Sequence, residues 1–144
     1  MHLHRTPVSG RKVRFAVVGC GRIAQNHFES INRHAERAEL TAVCDIDPAM
    51  LAAATAKTGA RGFASLGDLL AAAPADCVVL TTPSGLHPRQ AIEVARAEAH
   101  VVELDRRIRS GAIVASPRDS DRCGAGRCPF ADLWGVSFLF AHDP

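Results

Sequence analysis

Val13-Arg14-Phe15-Ala16-Val17-Val18-Gly19-Cys20-Gly21-Arg22-Ile23-Ala24 is the stretch on which the fold turns. An unbroken apolar, β-branched run predicts a strand buried on both faces. It runs into Gly-x-Gly-x-x-Ala and then into a helical pattern, the order that cradles a pyrophosphate. Gly19 permits the tight turn, Gly21 lets the backbone approach a phosphate, and Ala24 lets the helix pack close to the strand. The first helical turn offers free N–H groups and the positive end of its dipole to an anion, which places Gly19, Gly21, Arg22 and Ile23 around the phosphates.

Outward from this stretch the chain alternates regularly. A helix is expected from Arg22 to about His34 and a strand from Leu40 to Cys44. Asp47 and Pro48 read as N-cap and first residue of a helix that Gly59 stops. A short strand at Gly62 to Ala64 and a short helix from Leu66 to Ala73 follow. Asp76 to Thr81 is a strong apolar strand, His87 to Glu98 a helix, and His100 to Val102 opens a further strand. Alternation of this kind predicts an α/β fold, a doubly wound parallel sheet of Rossmann type, incomplete at its C-terminal end.

The divisions expected are an N-terminal extension over 1–12, a nucleotide-binding domain over 13–103 and an atypical tail over 104–144. The tail carries six arginines and five aspartates but no lysine or glutamate. It lacks a period of either kind and reads as poorly ordered, or else as an irregular extension docked on the sheet. Its one apolar run, Trp134 to Phe140, is an aggregation liability if exposed.

Composition narrows the function classes. A net charge of +2 and the absence of tyrosine argue against nucleic acid as partner. No run approaches the ~20 apolar residues of a membrane span, and the first twelve residues hold no apolar signal core. Five cysteines without a signal fit reduced thiols and a cytoplasmic location.

Asp45 closes the second strand 26 residues after Gly19, near the ~20 expected of the acid that accepts the ribose hydroxyls. With Asp45 and Asp47 there and no adjacent Arg or Lys, NAD is favoured over NADP; the alternative is a solvated turn residue. Thr82, Pro83, Ser84 and His87 follow the fourth strand at its carboxyl end, where open α/β sheets hold ligands, and would border the nicotinamide. The plainer alternative there is a strand-to-helix turn capped by Thr82 or Ser84, with His87 as a helix-start or surface residue. His27 reads as a structural histidine. Cys20 reads as a packing residue, although a nearby helix N-terminus can lower a thiol's pKa. Cys123, Cys128 and His142 are too loosely spaced for a zinc site, so no metal is expected.

Val13 to Val102 resembles the cofactor domain of the Gfo/Idh/MocA oxidoreductases, the glucose–fructose oxidoreductase and inositol dehydrogenase family. The likeness rests on Val-Val-Gly-Cys-Gly-Arg-Ile-Ala at 17–24, Ala-Val-Cys-Asp-Ile-Asp-Pro at 42–48, Thr-Pro-Ser-Gly-Leu-His at 82–87 and His-Val-Val at 100–102. Within the family, the branch it most resembles is that of the nucleotide-sugar 3-dehydrogenases, which oxidise UDP-N-acetylglucosaminuronic acid for surface polysaccharides. The resemblance implies NAD as cofactor, a nucleotide sugar as substrate and hydride transfer from a sugar ring carbon. An oligomer is compatible with the full-length family and is not specified by this sequence.

The family pattern continues after His-Val-Val with Glu-Lys-Pro, whose lysine sits beside the nicotinamide and helps deprotonate the reacting hydroxyl. This chain has Glu103-Leu104-Asp105-Arg106, and its only lysines are Lys12 and Lys57. The family's substrate domain, with its pocket and Asp/His pair, is longer than the whole 104–144 segment. No catalytic residue is therefore assigned. A truncated or frameshifted reading frame after Val102 is expected, and translation of the other two frames from codon 103 tests it. Three readings stand: the cofactor domain of a broken dehydrogenase, a non-catalytic dinucleotide module, and a subunit completed by a separate substrate domain.

Overall fold

The computed structural model describes residues 8–103 and 113–115, with backbone alone for 102, 103 and 113–115. Five parallel strands carry the fold: β1 (Val13–Val18), β2 (Ala38–Cys44), β3 (Arg61–Phe63), β4 (Cys77–Leu80) and β5 (His100–Glu103). Between them run α1 (Arg22–Arg33), α2 (Pro48–Thr58), α3 (Leu66–Ala72) and α4 (His87–Arg96). A single 3-10 turn, Ser84–Leu86, leads into α4. A short strand β6 (Ile113–Ala115) adds antiparallel to β5, inside the tail where the sequence pattern offers no element. The expectations for Trp134 to Phe140 and for Cys123, Cys128 and His142 lie outside the described residues.

The sheet order is β3-β2-β1-β4-β5-β6. The chain winds one way from β1 to β3, then returns to β1 and winds the other way from β4. That reversal opens a crevice between the carboxyl ends of β1 and β4, where such sheets hold ligands. β1 is continuous because both its faces are covered. Phe15 and Val17 pack with Phe28 and Ile31 of α1 and Ala54 of α2, whereas Ala16 and Val18 pack with Leu69 of α3 and Val94 of α4. Ala24 is fully buried, so the small third position of the glycine motif does bring α1 close to the sheet. The β1–β2 register slips between Phe15 and Ala16, and the Thr41 hydroxyl donates to the Phe15 carbonyl at the slip.

Helix boundaries follow from local chemistry. The Asp47 carboxylate accepts from the N–H groups of Ala49 and Met50, and Pro48 starts α2. Ser65 caps α3 by accepting from the Asp68 N–H. The expected helix from His87 to Glu98 ends earlier, at Arg96, because Glu98 takes a positive φ of 61°.

The amino end of β4 is fastened by charge. Asp76 accepts from the Arg11 guanidinium at 2.7 and 2.9 Å, from the Arg14 N–H at 2.8 Å and from the Arg14 guanidinium at 3.1 Å. Burial alone would raise the Asp76 pKa, but the hydrogen bonds from Arg11 and Arg14 outweigh it and hold the carboxyl well below the usual range. Burial pushes His27 down to about 4. Both groups are more acidic folded than unfolded, so the stability each supplies is complete above its unfolded pKa and is lost on acidification. Urea denaturation is expected to show a first loss between about pH 6.5 and 4 from His27 and a second below about pH 4 from Asp76. Asp76→Asn is expected to cost about 1–2 kcal/mol at neutral pH and to flatten the second loss. An unchanged acid limb in that variant would rule out this role.

Candidate functional site

The glycine loop joins β1 to α1 at the crevice. Gly19 takes φ +92°, and a Cβ there would lie 2.8 Å from the Thr81 carbonyl carbon and the Thr82 nitrogen. Its glycine is demanded by the fold, because two backbones meet at this point. Gly21 is a different case. Its φ is −70°, and a Cβ would meet no atom within 4 Å. Nothing within the protein requires a glycine there, and the space beside it is open.

Gly21 is also the N-cap of α1, and no side chain caps that helix. The first N–H groups of a helix have no intrahelical partner, so those of Arg22 and Ile23 present donors beside the open face of Gly21. Both side chains are exposed. A bare helix N-terminus next to a glycine with free space is a cradle that a Cβ would fill, and it suits a pyrophosphate. The residues present therefore fit a dinucleotide.

Asp45 sits at the carboxyl end of β2, half-buried and turned toward the loop. Its Oδ2 accepts from the Cys20 N–H at 2.7 Å and its Oδ1 from the Asp47 N–H at 2.9 Å. Asp45 is thus not a freely solvated turn residue. It ties the glycine loop to the end of β2 with charge-assisted bonds, and each oxygen keeps a further lone pair. Ile46, next in sequence, is 89% exposed.

The turn after β4 is fixed from two sides. The Thr81 hydroxyl donates into the glycine loop, 2.6 Å from the Gly19 carbonyl oxygen, and the Thr81 N–H donates to Val18. Thr82 faces the start of α4. Its hydroxyl donates to Gln90 Oε1, and its carbonyl oxygen lies 2.7 Å from His87 Nε2. A carbonyl only accepts, so Nε2 carries the proton and donates. Pro83 and Ser84 are exposed, whereas His87 is 3% exposed. The sequence placed Thr82, Pro83, Ser84 and His87 together along a nicotinamide border. The structure separates them into an outer pair, Pro83 and Ser84, and an inner pair, Thr82 and His87. His87 is not a surface imidazole: it is the first residue of α4, buried, with its ring held against the Thr82 carbonyl. Thr81, the hydroxyl residue that opens this turn in the sequence, and Gln90 hold it as well, and Gln90 is the one the sequence pattern did not single out. The available signal was a polar side chain one helical turn after His87.

Cys20 is 1% exposed, and burial, with the neighbouring Asp45 charge, pushes its thiol up to about 11. A helix N-terminus does not activate it. Burial likewise pushes Cys44 up to about 11. Cys20, Cys44 and Cys77 are all buried and none is in a disulfide. Among the described residues no group of three or more His, Cys, Asp or Glu is placed to hold a metal ion. No helix of the described residues is long and apolar enough to cross a membrane. Lys12 and Lys57 both line a depression of about 340 Å³ with Phe28, Ile31 and Leu40, and Lys57 Nζ donates to Gln25 at 2.7 Å. Lys12 immediately precedes β1, so it lies at the amino edge of the sheet, opposite the glycine loop. Glu103 pairs with Leu80 at the carboxyl edge, and the residue after it is Leu104.

Comparison with known proteins agrees with this geometry. Residues 13–103 match the GFO_IDH_MocA oxidoreductase family, which has an NAD-binding Rossmann fold. A WlbA dehydrogenase from Bordetella pertussis, solved with NADH and UDP-GlcNAcA, superposes with a TM-score of 0.64 at 60% identity over 65% of this chain and 29% of its own. The WlbA dehydrogenase from Chromobacterium violaceum, solved with the same two ligands, gives 0.69 at 60% identity over 71% and 30%. An inositol 2-dehydrogenase from Leifsonia xyli is 37% identical over 75 residues, which is 52% of this chain and 22% of the relative. The chain thus spans less than a third of the length of each of these proteins.

Proposed function

Because this chain belongs to the GFO_IDH_MocA oxidoreductase family, whose Rossmann fold binds NAD, we propose that it is the cofactor-holding part of a dehydrogenase acting on a nucleotide-sugar acid. The observation that carries the cofactor assignment is Gly21, a glycine with open space at the bare N-terminus of α1. In this reading the N–H groups of Arg22 and Ile23 hold the pyrophosphate beside Gly19 and Gly21. Asp45 accepts from the ribose hydroxyls with the lone pairs left by Cys20 and Asp47. Pro83 and Ser84 form the rim on the nicotinamide side, and Thr82 and His87 support that rim from within.

NAD, when bound, supplies the hydride acceptor for oxidation of a CH–OH group. Removal of the hydroxyl proton needs a base, and both lysines of this chain lie at the amino edge of the sheet. In the family pattern that base is the lysine after His-Val-Val, where this chain has Leu104, so residues 13–103 are assigned NAD binding and turnover is assigned to a base outside them. The nucleotide-sugar assignment is supported by 60% identity to the two WlbA dehydrogenases, against 37% to the inositol 2-dehydrogenase. Three buried cysteines outside any disulfide support a reducing, cytoplasmic setting.

Calorimetric titration tests the reading. The parent chain is expected to bind NAD and to produce no NADH with UDP-GlcNAcA. Gly21→Ala is expected to weaken NAD by about 30- to 100-fold while costing only about 0.5–1 kcal/mol of stability, since a methyl there enters the phosphate space and meets no protein atom. Equal NAD affinity in Gly21→Ala would remove the cradle assignment, and NADH formation by the parent would overturn binding without turnover.

A further inference from the structure

Gln90 is a buried polar side chain, 9% exposed, one helical turn after His87, itself 3% exposed. Residues three apart share a helix face, and both of these reach one residue of the preceding turn. Gln90 accepts from the Thr82 hydroxyl, and His87 donates to the Thr82 carbonyl. Thr82 is therefore gripped by both its side chain and its backbone. On its other side Thr81 is bonded to Val18 and Gly19. Pro83 and Ser84, exposed immediately beyond, follow wherever Thr82 is held.

We propose that Gln90 and His87 are positioning residues that set the Pro83–Ser84 rim for the nicotinamide half of the cofactor, acting through Thr82 and touching no ligand themselves. This inference rests on the cofactor reading above and adds residues to it. A buried hydrogen bond is costly to leave half-made, so loss of the Gln90 acceptor strands the Thr82 hydroxyl and releases the rim. The glycine loop and Asp45 are held by bonds in which neither Thr82 nor Gln90 takes part: the Gly19 N–H donates to the Cys44 carbonyl, the Thr81 hydroxyl donates to the Gly19 carbonyl, and Asp45 accepts from the N–H groups of Cys20 and Asp47. The adenine and phosphate half should not feel the change.

The test compares NAD with ADP, which lacks the nicotinamide half, by calorimetry on the full chain. Gln90→Met is expected to weaken NAD about five- to tenfold and to leave ADP within about twofold. Thr82→Val removes the other partner of the same bond and should give the same split. The double variant should be no weaker than either single one, because one interaction is lost in all three. Thr82→Val also reads the bond if Gln90→Met does not fold. Equal weakening of NAD and ADP would mean a merely structural role and overturn the proposal, as would additive effects in the double variant. A parent chain that binds neither ligand would overturn the cofactor reading and this inference with it, whereas a parent that binds both and a Gln90→Met chain that matches it would overturn this inference alone.

Discussion

Gly19→Ala is expected to destabilise the chain by about 3–5 kcal/mol. Two costs add at this position. The backbone has φ +92°, where an L side chain is strained, and the new methyl would lie 2.8 Å from the Thr81 carbonyl carbon and the Thr82 nitrogen. Those atoms directly follow β4, which pairs with β1, and the Thr81 N–H is itself bonded to the Val18 carbonyl, so neither backbone can give way cheaply. Domains of this size have a total stability of roughly 5–15 kcal/mol. Thermal unfolding followed by circular dichroism should drop by roughly 15 °C or more, or the variant should fail to fold. A midpoint within a few degrees of the parent would show that the two backbones separate easily. The contrast with Gly21→Ala is the informative part. One substitution is expected to remove the fold and the other to remove the ligand, although both alter a glycine of the same short motif.

Asp45→Ala is expected to weaken NAD by at least about 100-fold, since it removes one charge-assisted bond to the glycine loop and one to the Asp47 N–H as well as the ribose acceptor. Lost affinity by itself would not identify the ribose contact, because the Cys20 and Asp47 N–H groups lose their partner in the same variant. The NAD/NADP ratio separates the two roles. A carboxylate at the ribose repels a 2′-phosphate, so a direct contact predicts that the preference for NAD narrows in Asp45→Ala. A purely loop-holding role predicts that both cofactors weaken by the same factor, and that result would take Asp45 off the ribose.

The sequence and the structure agree where the signal is local. The strand, the glycine turn, the start of α2 at Asp47-Pro48 and the carboxyl end of the strand before Thr82 all follow from residues a few positions apart. At His87, a sequence position equally suited to a helix start, a surface imidazole or a ligand contact, the structure shows a helix start with the ring buried. Its burial against the Thr82 carbonyl depends on how α4 lies on the sheet. At Cys20 they agree: it reads as a packing residue and is buried, and burial raises its thiol pKa where a helix N-terminus would lower it.

By itself the sequence determined the order of β1 to β5 and the helices between them, the glycine turn and the acid that follows β2, because each is encoded in spacing along a short segment. Only the tertiary structure decided which of these residues do which work. Gly19 is fixed by Thr81, 62 residues away, Asp45 by Cys20, 25 away, and Asp76 by Arg14, 62 away. Such contacts are set by the register of parallel strands joined through crossover helices, and a register across a sheet leaves no trace in the local pattern of either strand.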